Sequence, residues 1–187
     1  MGQISTDKTS VIMAGFGGMG VLMAGQILSW GALNKYNHVS WLPSYAVEKR
    51  GGLCECTVVF SDKEISSPII DQAGIVIVFA GARFKEFESR VLPGGLMLVE
   101  SSGLDDAQDR NDYNLYKIPG METAITMGGV QIANFVFLGA FIGLTDSVGH
   151  ELIEDELVKK FRGKKEVLEL NKKAFRRGIE LVVNQKK

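Results

Sequence analysis

Cysteine and histidine are scarce in this chain, with two of each among 187 residues. Cys54 and Cys56 are separated by a single residue, too close to frame a fold by disulfides. His38 and His150 lie far apart and have no metal-ligand spacing. They read as residues that open a strand and a helix. A metal or cluster normally needs four ligands, so at most a site shared between subunits is open to the cysteines. The residues favour a plainer reading, with both cysteines half-buried on one face of a strand and packed as small hydrophobes. An excess of either charge is also lacking: 21 basic and 22 acidic residues leave a net charge of -1. Nothing global draws the chain towards nucleic acid or an anionic membrane. The longest apolar run, Val130 to Leu144, is too short to span a bilayer and carries Gln131 and Asn134. The first ten residues are polar, without the apolar core of a signal peptide. A cytoplasmic protein is expected, as one domain over residues 1–187 with an ordinary core.

Catalytic signatures are missing too. There is no G-x-S-x-G elbow and no Gly-Lys-Ser/Thr of a P-loop. What is present is Val11-Ile-Met-Ala-Gly15-Phe-Gly17-Gly18-Met-Gly20. Val11 to Ala14 reads as a buried strand, and Val21 to Leu33 as a helix. Between them, Gly15 to Gly20 fits G-x-G-x-x-G. Glycine supplies the positive φ of a tight turn and lets a ligand approach the backbone. The helix start offers free N–H groups to an anion. A glycine turn that only packs helix on strand fits equally well. The acid that clamps a dinucleotide ribose should follow about 20 residues on. Here the second apolar run, His38 to Pro43, ends without one, and the first acidic residue after the glycines is Glu48.

Further strands are expected at His38–Leu42, Cys54–Phe60 with one exposed edge, Gly74–Phe79, Leu96–Val99 and Tyr113–Ile118. Pro43 to Gly52 reads as a polar loop. Its Glu48 and Arg50 can pair with each other or with a ligand. Phe84, Phe87 and Val91 fit a short helix that stops at Pro93-Gly94-Gly95, and Ser101 to Asp112 reads as a mobile acidic loop. The final third is helical. Val130 to Leu144 is apolar all round and must be covered by its own fold or by a partner. Glu151–Phe161 and Lys164–Gln185 are charged helices, the latter with Lys172, Lys173, Arg176 and Arg177 on a solvated face. The fold class is therefore α/β, a three-layer Rossmann-like arrangement with a mostly parallel sheet.

Several motifs together resemble one family. Gly15-Phe-Gly-Gly-Met-Gly-Val21, Trp41-Leu-Pro-Ser-Tyr45, Glu48-Lys-Arg-Gly-Gly52, Pro93-Gly-Gly95 and Asn134 through Leu138-Gly139 are similar to the γ subunit of 2-oxoacid:ferredoxin oxidoreductases. Within that group the likeness is to the 2-oxoglutarate and branched-chain 2-oxoacid enzymes, with pyruvate synthases related. The family usually has Gln where this chain has Met19, Gly-Pro at Ala46-Val47, and a more polar sequence at Ala80-Gly81-Ala82. The resemblance implies a non-catalytic subunit. It would pack on catalytic α and β subunits and a ferredoxin-like δ subunit that hold thiamine diphosphate, magnesium and iron–sulfur clusters, with ferredoxin as electron carrier. It would also help to bind coenzyme A. The site residues so implied are Gly15, Gly17, Gly18, Gly20, Ser44, Tyr45, Glu48, Arg50, Gly51 and Gly52. On this reading the apolar helix wants a partner, and a homodimer is open to the isolated chain. The rival readings are a stand-alone nucleotide-binding protein and an assembly module whose turn binds nothing.

Overall fold

A computed structural model of the chain describes residues 8–45, 52–104 and 108–183. Strand β1 (Lys8–Phe16) turns through the glycines into α1 (Val21–Leu33). β2 (His38–Tyr45), β3 (Leu53–Ser61) and β4 (Ala73–Val78) follow. A 3-10 turn at Gly81–Arg83 leads into α2 (Phe84–Glu88), then come β5 (Val91–Glu100) and β6 (Asn114–Ile118). The remainder is α3 (Gly120–Met127), a 3-10 turn at Val130–Ile132, α4 (Ala133–Thr145), α5 (His150–Lys160) and α6 (Lys165–Val183).

Among the described residues the sheet has six strands in the order β2-β3-β1-β4-β5-β6. β1, β4, β5 and β6 are parallel, while β3 runs antiparallel to both β1 and β2. Thus β2 points the same way as β1, and the α/β, mostly parallel class holds. Val11 and Met13 face one side of β1, Ile12 and Ala14 the other, and all four are fully buried. A central strand covered on both faces has no polar alternation. The two covering layers are unequal. Five helices, α1 and α3 to α6, pack on the Val11 side. On the Ile12 side the cover is Phe84 and Phe87 of α2, with Ile70, Leu104 and Tyr113 from irregular segments.

The structure corrects several expectations. β3 has no exposed edge, because β1 and β2 pair on either side of it, and β2 is the edge. That explains why residues 56–61 are buried throughout. Pro43, Ser44 and Tyr45 belong to β2 rather than to a loop, as an edge strand tolerates proline. Val91 to Gly95 open β5 instead of ending a helix, with a register irregularity against β4 between Ala73 and Ile75. α3 is an additional helix, although Pro119 before it and Gly128-Gly129 after it are boundary signals. Part of the expected acidic loop, residues 105–107, lies outside the described residues. Beyond it, buried Glu88 fastens the chain by accepting from the N–H groups of Asp109 (3.0 Å) and Arg110 (3.2 Å) and from Tyr113 Oη (2.9 Å). His38 and His150 open β2 and α5 as expected.

The apolar helix α4 finds its cover inside the chain. Residues Ala133 to Ile142 are all buried. Its Gly139 and Gly143 meet Phe175, Gly178, Ile179 and Val182 of α6, and Phe137 stacks on Phe79 with ring centroids 4.9 Å apart. A long amphipathic helix laid over it removes the need for a partner there.

The basic face of α6 is also partly spent within the chain. Arg176 grips Glu154 of α5 through two 2.6 Å hydrogen bonds, and Lys172 Nζ lies 3.0 Å from the same carboxylate. Arg177 pairs with Glu180. Arg176, and then Lys172, hold the Glu154 carboxyl below its ordinary range against the opposing effect of burial. A lowered folded pKa means the stabilisation is present above the unfolded value and is lost as pH falls through the folded one. Because Arg176 is well exposed, about 1 kcal/mol or less is at stake. Glu154→Gln is expected to melt slightly below wild type at pH 7 and to lose less on acidification below about pH 4.3. Parallel melting curves for the two proteins across that range would contradict this.

Candidate functional site

The chain leaves β1 and β4 in opposite directions. α1 returns over one face of the sheet and α2 over the other. Between two such strands the carboxyl edge of the sheet opens into a crevice, the usual place for a ligand in an open α/β sheet. Here its walls are the turn Gly15–Gly20 and the segment Phe79–Arg83. Gly15 lets them meet, since a Cβ there would come within 3.0 Å of Phe79 Cβ. Phe79 N–H donates to the Ala14 carbonyl across the gap (2.8 Å).

Two glycines of the turn adopt conformations that other residues rarely take. Gly18 has φ +99° and nothing within 4 Å of where a Cβ would stand. Gly20, at φ +75°, caps α1, and a Cβ there would come 2.6 Å from Asn134 Nδ2. Part of the N–H capacity of the turn is already used. Gly17 N–H donates to the Gly52 carbonyl (3.0 Å), Met19 N–H to the Phe16 carbonyl (3.1 Å) and Phe16 N–H to Met19 Sδ (3.4 Å). Among the described residues, Gly18 and Gly20 make no backbone hydrogen bond through their N–H groups. These two and the first turn of α1 are what an anion would meet. The Arg83 guanidinium lies over the Phe16 ring at the rim, 5.0 Å from its centroid, with its Nη1 paired to Glu86 Oε2 at 2.6 Å. Beside the turn a cavity of about 50 Å³ is lined by Gly18, Met19, Phe79, Met121, Val130 and Ala133.

The predicted site residues converge only in part. Gly15, Gly17, Gly18, Gly20 and Gly52 come together. Ser44 and Tyr45 stand at the same edge of the sheet but two strands from β1, roughly 10 Å away at ordinary strand spacing. Glu48, Arg50 and Gly51 lie outside the described residues. Arg83, Phe79 and Glu100 are not among the residues expected from the sequence. Arg83 carries a legible signal, since it closely follows a buried strand whose carboxyl end has to lie at the ligand edge. Glu100, 2% exposed at the end of β5, accepts from Ser102 N–H and Oγ (2.9 Å each) and from Met121 N–H (2.8 Å). It ties β5 to the start of α3.

Asn134 is the other residue whose position only packing reveals. It is 2% exposed and donates through Nδ2 to the Gly20 carbonyl (3.2 Å), so α4 holds the turn in place. Its Oδ1 is buried without a partner, which costs about 1–3 kcal/mol.

Both cysteines are free and lie beside α1. Cys56 is fully buried and its Sγ sits 3.8 Å from the Val21 carbonyl oxygen. Gly25 makes room for that sulfur. Burial pushes the Cys56 thiol up to about 12, with the Trp41 indole partly opposing. Trp41 Nε1 has no hydrogen bond of good geometry and faces the same pocket as that sulfur. The half-buried Cys54 is also raised by burial, against a lowering contribution from the Leu22 backbone. Neither is a nucleophile at neutral pH. A chromogenic disulfide reagent at pH 8 is expected to titrate one thiol slowly in the folded chain and two after denaturation. Two thiols reacting equally fast in the folded chain would refute this assignment.

Comparison with known proteins shows the family and the fold. The family model described as pyruvate ferredoxin/flavodoxin oxidoreductase matches residues 10–181. The ketoisovalerate oxidoreductase subunit VorA of Methanothermobacter marburgensis is 32% identical over 174 residues, covering 92% of this chain and 36% of the relative. This chain therefore spans about a third of that relative's length. Among solved structures, the keto/oxoacid ferredoxin oxidoreductase γ subunit of Geobacter sulfurreducens superposes with a TM-score of 0.79 at 27% identity, covering 94% of this chain and 99% of that one. The 2-oxoglutarate:ferredoxin oxidoreductase of Magnetococcus marinus, solved with 2-oxoglutarate, coenzyme A and succinyl-CoA, superposes with a TM-score of 0.85 at 25% identity. That match covers 95% of this chain and 31% of the other. A matched region running from β1 into α6, and so including the glycine turn, the crevice and the α4–α6 pair, places the chain in the pyruvate ferredoxin/flavodoxin oxidoreductase family.

Proposed function

We propose that the chain is the γ subunit of a multi-subunit 2-oxoacid:ferredoxin oxidoreductase and folds as a single γ-type domain. The complex converts a 2-oxoacid, with 2-oxoglutarate the first candidate, and coenzyme A to the acyl-CoA and carbon dioxide while reducing ferredoxin, or runs the reverse. This chain is non-catalytic. Its contribution is to pack on the catalytic subunits and to present the crevice between β1 and β4 to the diphosphate of coenzyme A.

The observation that carries this reading is the crevice itself. Gly18 leaves open space over two free N–H groups at the start of α1, with Arg83 on the rim. A diphosphate suits those donors. Among the described residues no carboxylate ends β2, which closes at Tyr45, where a dinucleotide enzyme would place its ribose clamp. Among the described residues no group of three His, Cys, Asp or Glu is placed to hold a metal. On this reading thiamine diphosphate, magnesium and iron–sulfur clusters belong to the partner chains, where they would supply the decarboxylation and electron-transfer chemistry. No helix of the described residues is long and apolar enough to cross a membrane; we assign the complex to the cytoplasm.

Native mass spectrometry of the complex purified through this chain tests the reading. The expected result is a stoichiometric assembly with the catalytic and ferredoxin-like subunits. That assembly should reduce a viologen with 2-oxoacid and coenzyme A, and the purified chain alone should not. Turnover by the chain alone, or a chain that purifies with no partner, would refute the assignment.

A further inference from the structure

On the far side of Gly20 from the crevice lies a second recess of about 310 Å³. Three helices reach it by their opening turns: Gly20 and Met23 at the start of α1, Asn134 and Phe135 at that of α4, Val167 at that of α6. Each helix start carries a partial positive charge. The proposed function makes no use of this recess. Its volume is at the lower end of ligand pockets, enough for a base with its sugar. Phe135 and Phe161 meet edge to face in its wall, with ring centroids 6.0 Å apart. No Asp, Glu, Lys, Arg or His lines the interior. A charged group carried inside would lose its hydration without gaining a counter-charge, so the part of a ligand that enters is neutral.

Asn171 sets the polar chemistry of the interior. It is 4% exposed and stands on the recess wall. Among the described residues its side-chain amide makes no hydrogen bond. A buried amide is normally satisfied, and the space this one lines is the recess. It offers a donor and an acceptor side by side. Gln131, exposed at the mouth, adds a second amide whose side chain is equally uncommitted among the described residues. Adjacent donor and acceptor atoms match the amino group and ring nitrogen of adenine, the pairing that Asn and Gln make with that base. Aromatic walls suit its flat faces.

The mouth has the opposite character. Residues 162–165 lead from the Phe161 wall to the Val167 wall and are exposed. They bring Arg162, Lys164 and Lys165, none of which pairs with an acid among the described residues. Glu166 is the one acid in this connection. Lys164 and Lys165 stand at the opening of α6, where the helix dipole disfavours a cation. Lys172, Arg176 and Arg177 further along α6 have carboxylate partners, so the uncompensated charge is concentrated at the mouth. A phosphate there would supply the missing counter-charge.

We propose that this recess takes an adenine base, its amino edge paired with the Asn171 amide, while a phosphate of the same nucleotide rests on residues 162–165. The nucleotide is either coenzyme A, in which case the assignment rests on the function proposed above, or a separate adenine nucleotide, in which case it does not.

The folded chain is titrated with adenosine 5′-monophosphate and with purine riboside 5′-monophosphate, which lacks the amino group. The side-chain amides of Asn171 and Gln131 and the methyl groups of Leu170 are followed by NMR. The adenine nucleotide is expected to shift these signals and to bind at least about fivefold more tightly than the purine one, the value of one ordinary hydrogen bond. Asn171→Leu keeps the volume and should bind the two equally. Lys164→Glu with Lys165→Glu, at exposed positions, should weaken the monophosphate at least about tenfold and leave adenosine unchanged. Equal binding of the two nucleotides by the wild-type chain, or no shift at Asn171, would overturn the site. Displacement of the monophosphate by coenzyme A would assign the recess to the adenine of coenzyme A, and binding without such competition to a separate nucleotide. A complex that assembles and turns over while its chain shows no shift at Asn171 would remove only this site. Selective binding by a chain that assembles with nothing would remove only the proposed function.

Discussion

Gly178→Val in α6 is expected to abolish folding, and Gly178→Ala to destabilise the chain by about 3 kcal/mol or more. Helix propensity alone predicts the opposite sign, since alanine in a helix interior is worth about 1 kcal/mol over glycine. The crossing with α4 decides the matter. A Cβ on Gly178 would overlap the Val136 carbonyl oxygen, and a Cβ on Gly139 would overlap the Phe175 carbonyl oxygen. Those obstacles are backbone atoms inside regular helices, which cannot rotate away as a side chain would. The helices would have to separate, and α4, buried from Ala133 to Ile142, would lose contact along that face. The total stability of a domain is about 5–15 kcal/mol, so a valine here exceeds what the fold can absorb. Gly163→Ala is the matched control. It has positive φ but open surroundings, so only the backbone penalty of about 1–2 kcal/mol applies. Chemical denaturation followed by circular dichroism measures all three. A Gly178→Ala protein as stable as wild type would mean that α4 and α6 do not cross as closely as described.

The second large effect is on function. Gly18→Val in the assembled complex is expected to raise the Michaelis constant for coenzyme A at least about tenfold, equivalent to about 1.4 kcal/mol of binding. At Gly18 an added Cβ meets no atom within 4 Å, so the new group is expected to fill space at the turn that an anion would need. The fold should lose about 1–3 kcal/mol, because a branched residue is held at φ +99°. Gly94→Val provides the comparison. Gly94 has φ +75° and equally open surroundings, but it lies near the start of β5, away from the carboxyl edge. It should show a similar stability loss and an unchanged Michaelis constant. Equal kinetics for the two variants would reduce the glycine turn to a packing device.

Part of this architecture is legible in the chain itself. Val11 to Ala14 lacks polar alternation, and a strand with two apolar faces has to lie inside a sheet. The glycines after it announce the turn, and the missing acid after His38–Pro43 argues against a dinucleotide. Such features are local. They depend on the conformational freedom of glycine and on the period of apolar residues, which the chain carries with it wherever it folds. The helical character of the last third is legible for the same reason.

Pairing is not local. Nothing in Cys54 to Phe60 states which strands flank it, so its place between β1 and β2 emerges only with the sheet. The continuous apolar surface of α4 shows that it must be covered but not by what. A helix without a polar face has no preferred direction, and it is Gly139 and Gly143 of α4 with Gly178 of α6 that allow the two backbones to come close enough. The site divides in the same way. The turn itself comes from consecutive residues, whereas Arg83 and Asn134 reach it from segments distant in sequence. Asn134 marks the limit most clearly: a lone amide in an apolar run is visible in the chain, but that one nitrogen holds Gly20 while its oxygen stays unsatisfied depends on where α1, α4 and α6 meet. The sequence by itself determined most of the elements and the turn, because those follow from each residue's own backbone preferences and its near neighbours; α3 and the bounds of β2 and β5 were not among them. The strand order, the cover of α4 and the shape of both recesses were decided by the tertiary structure, because they depend on contacts between surfaces that the chain brings together only on folding.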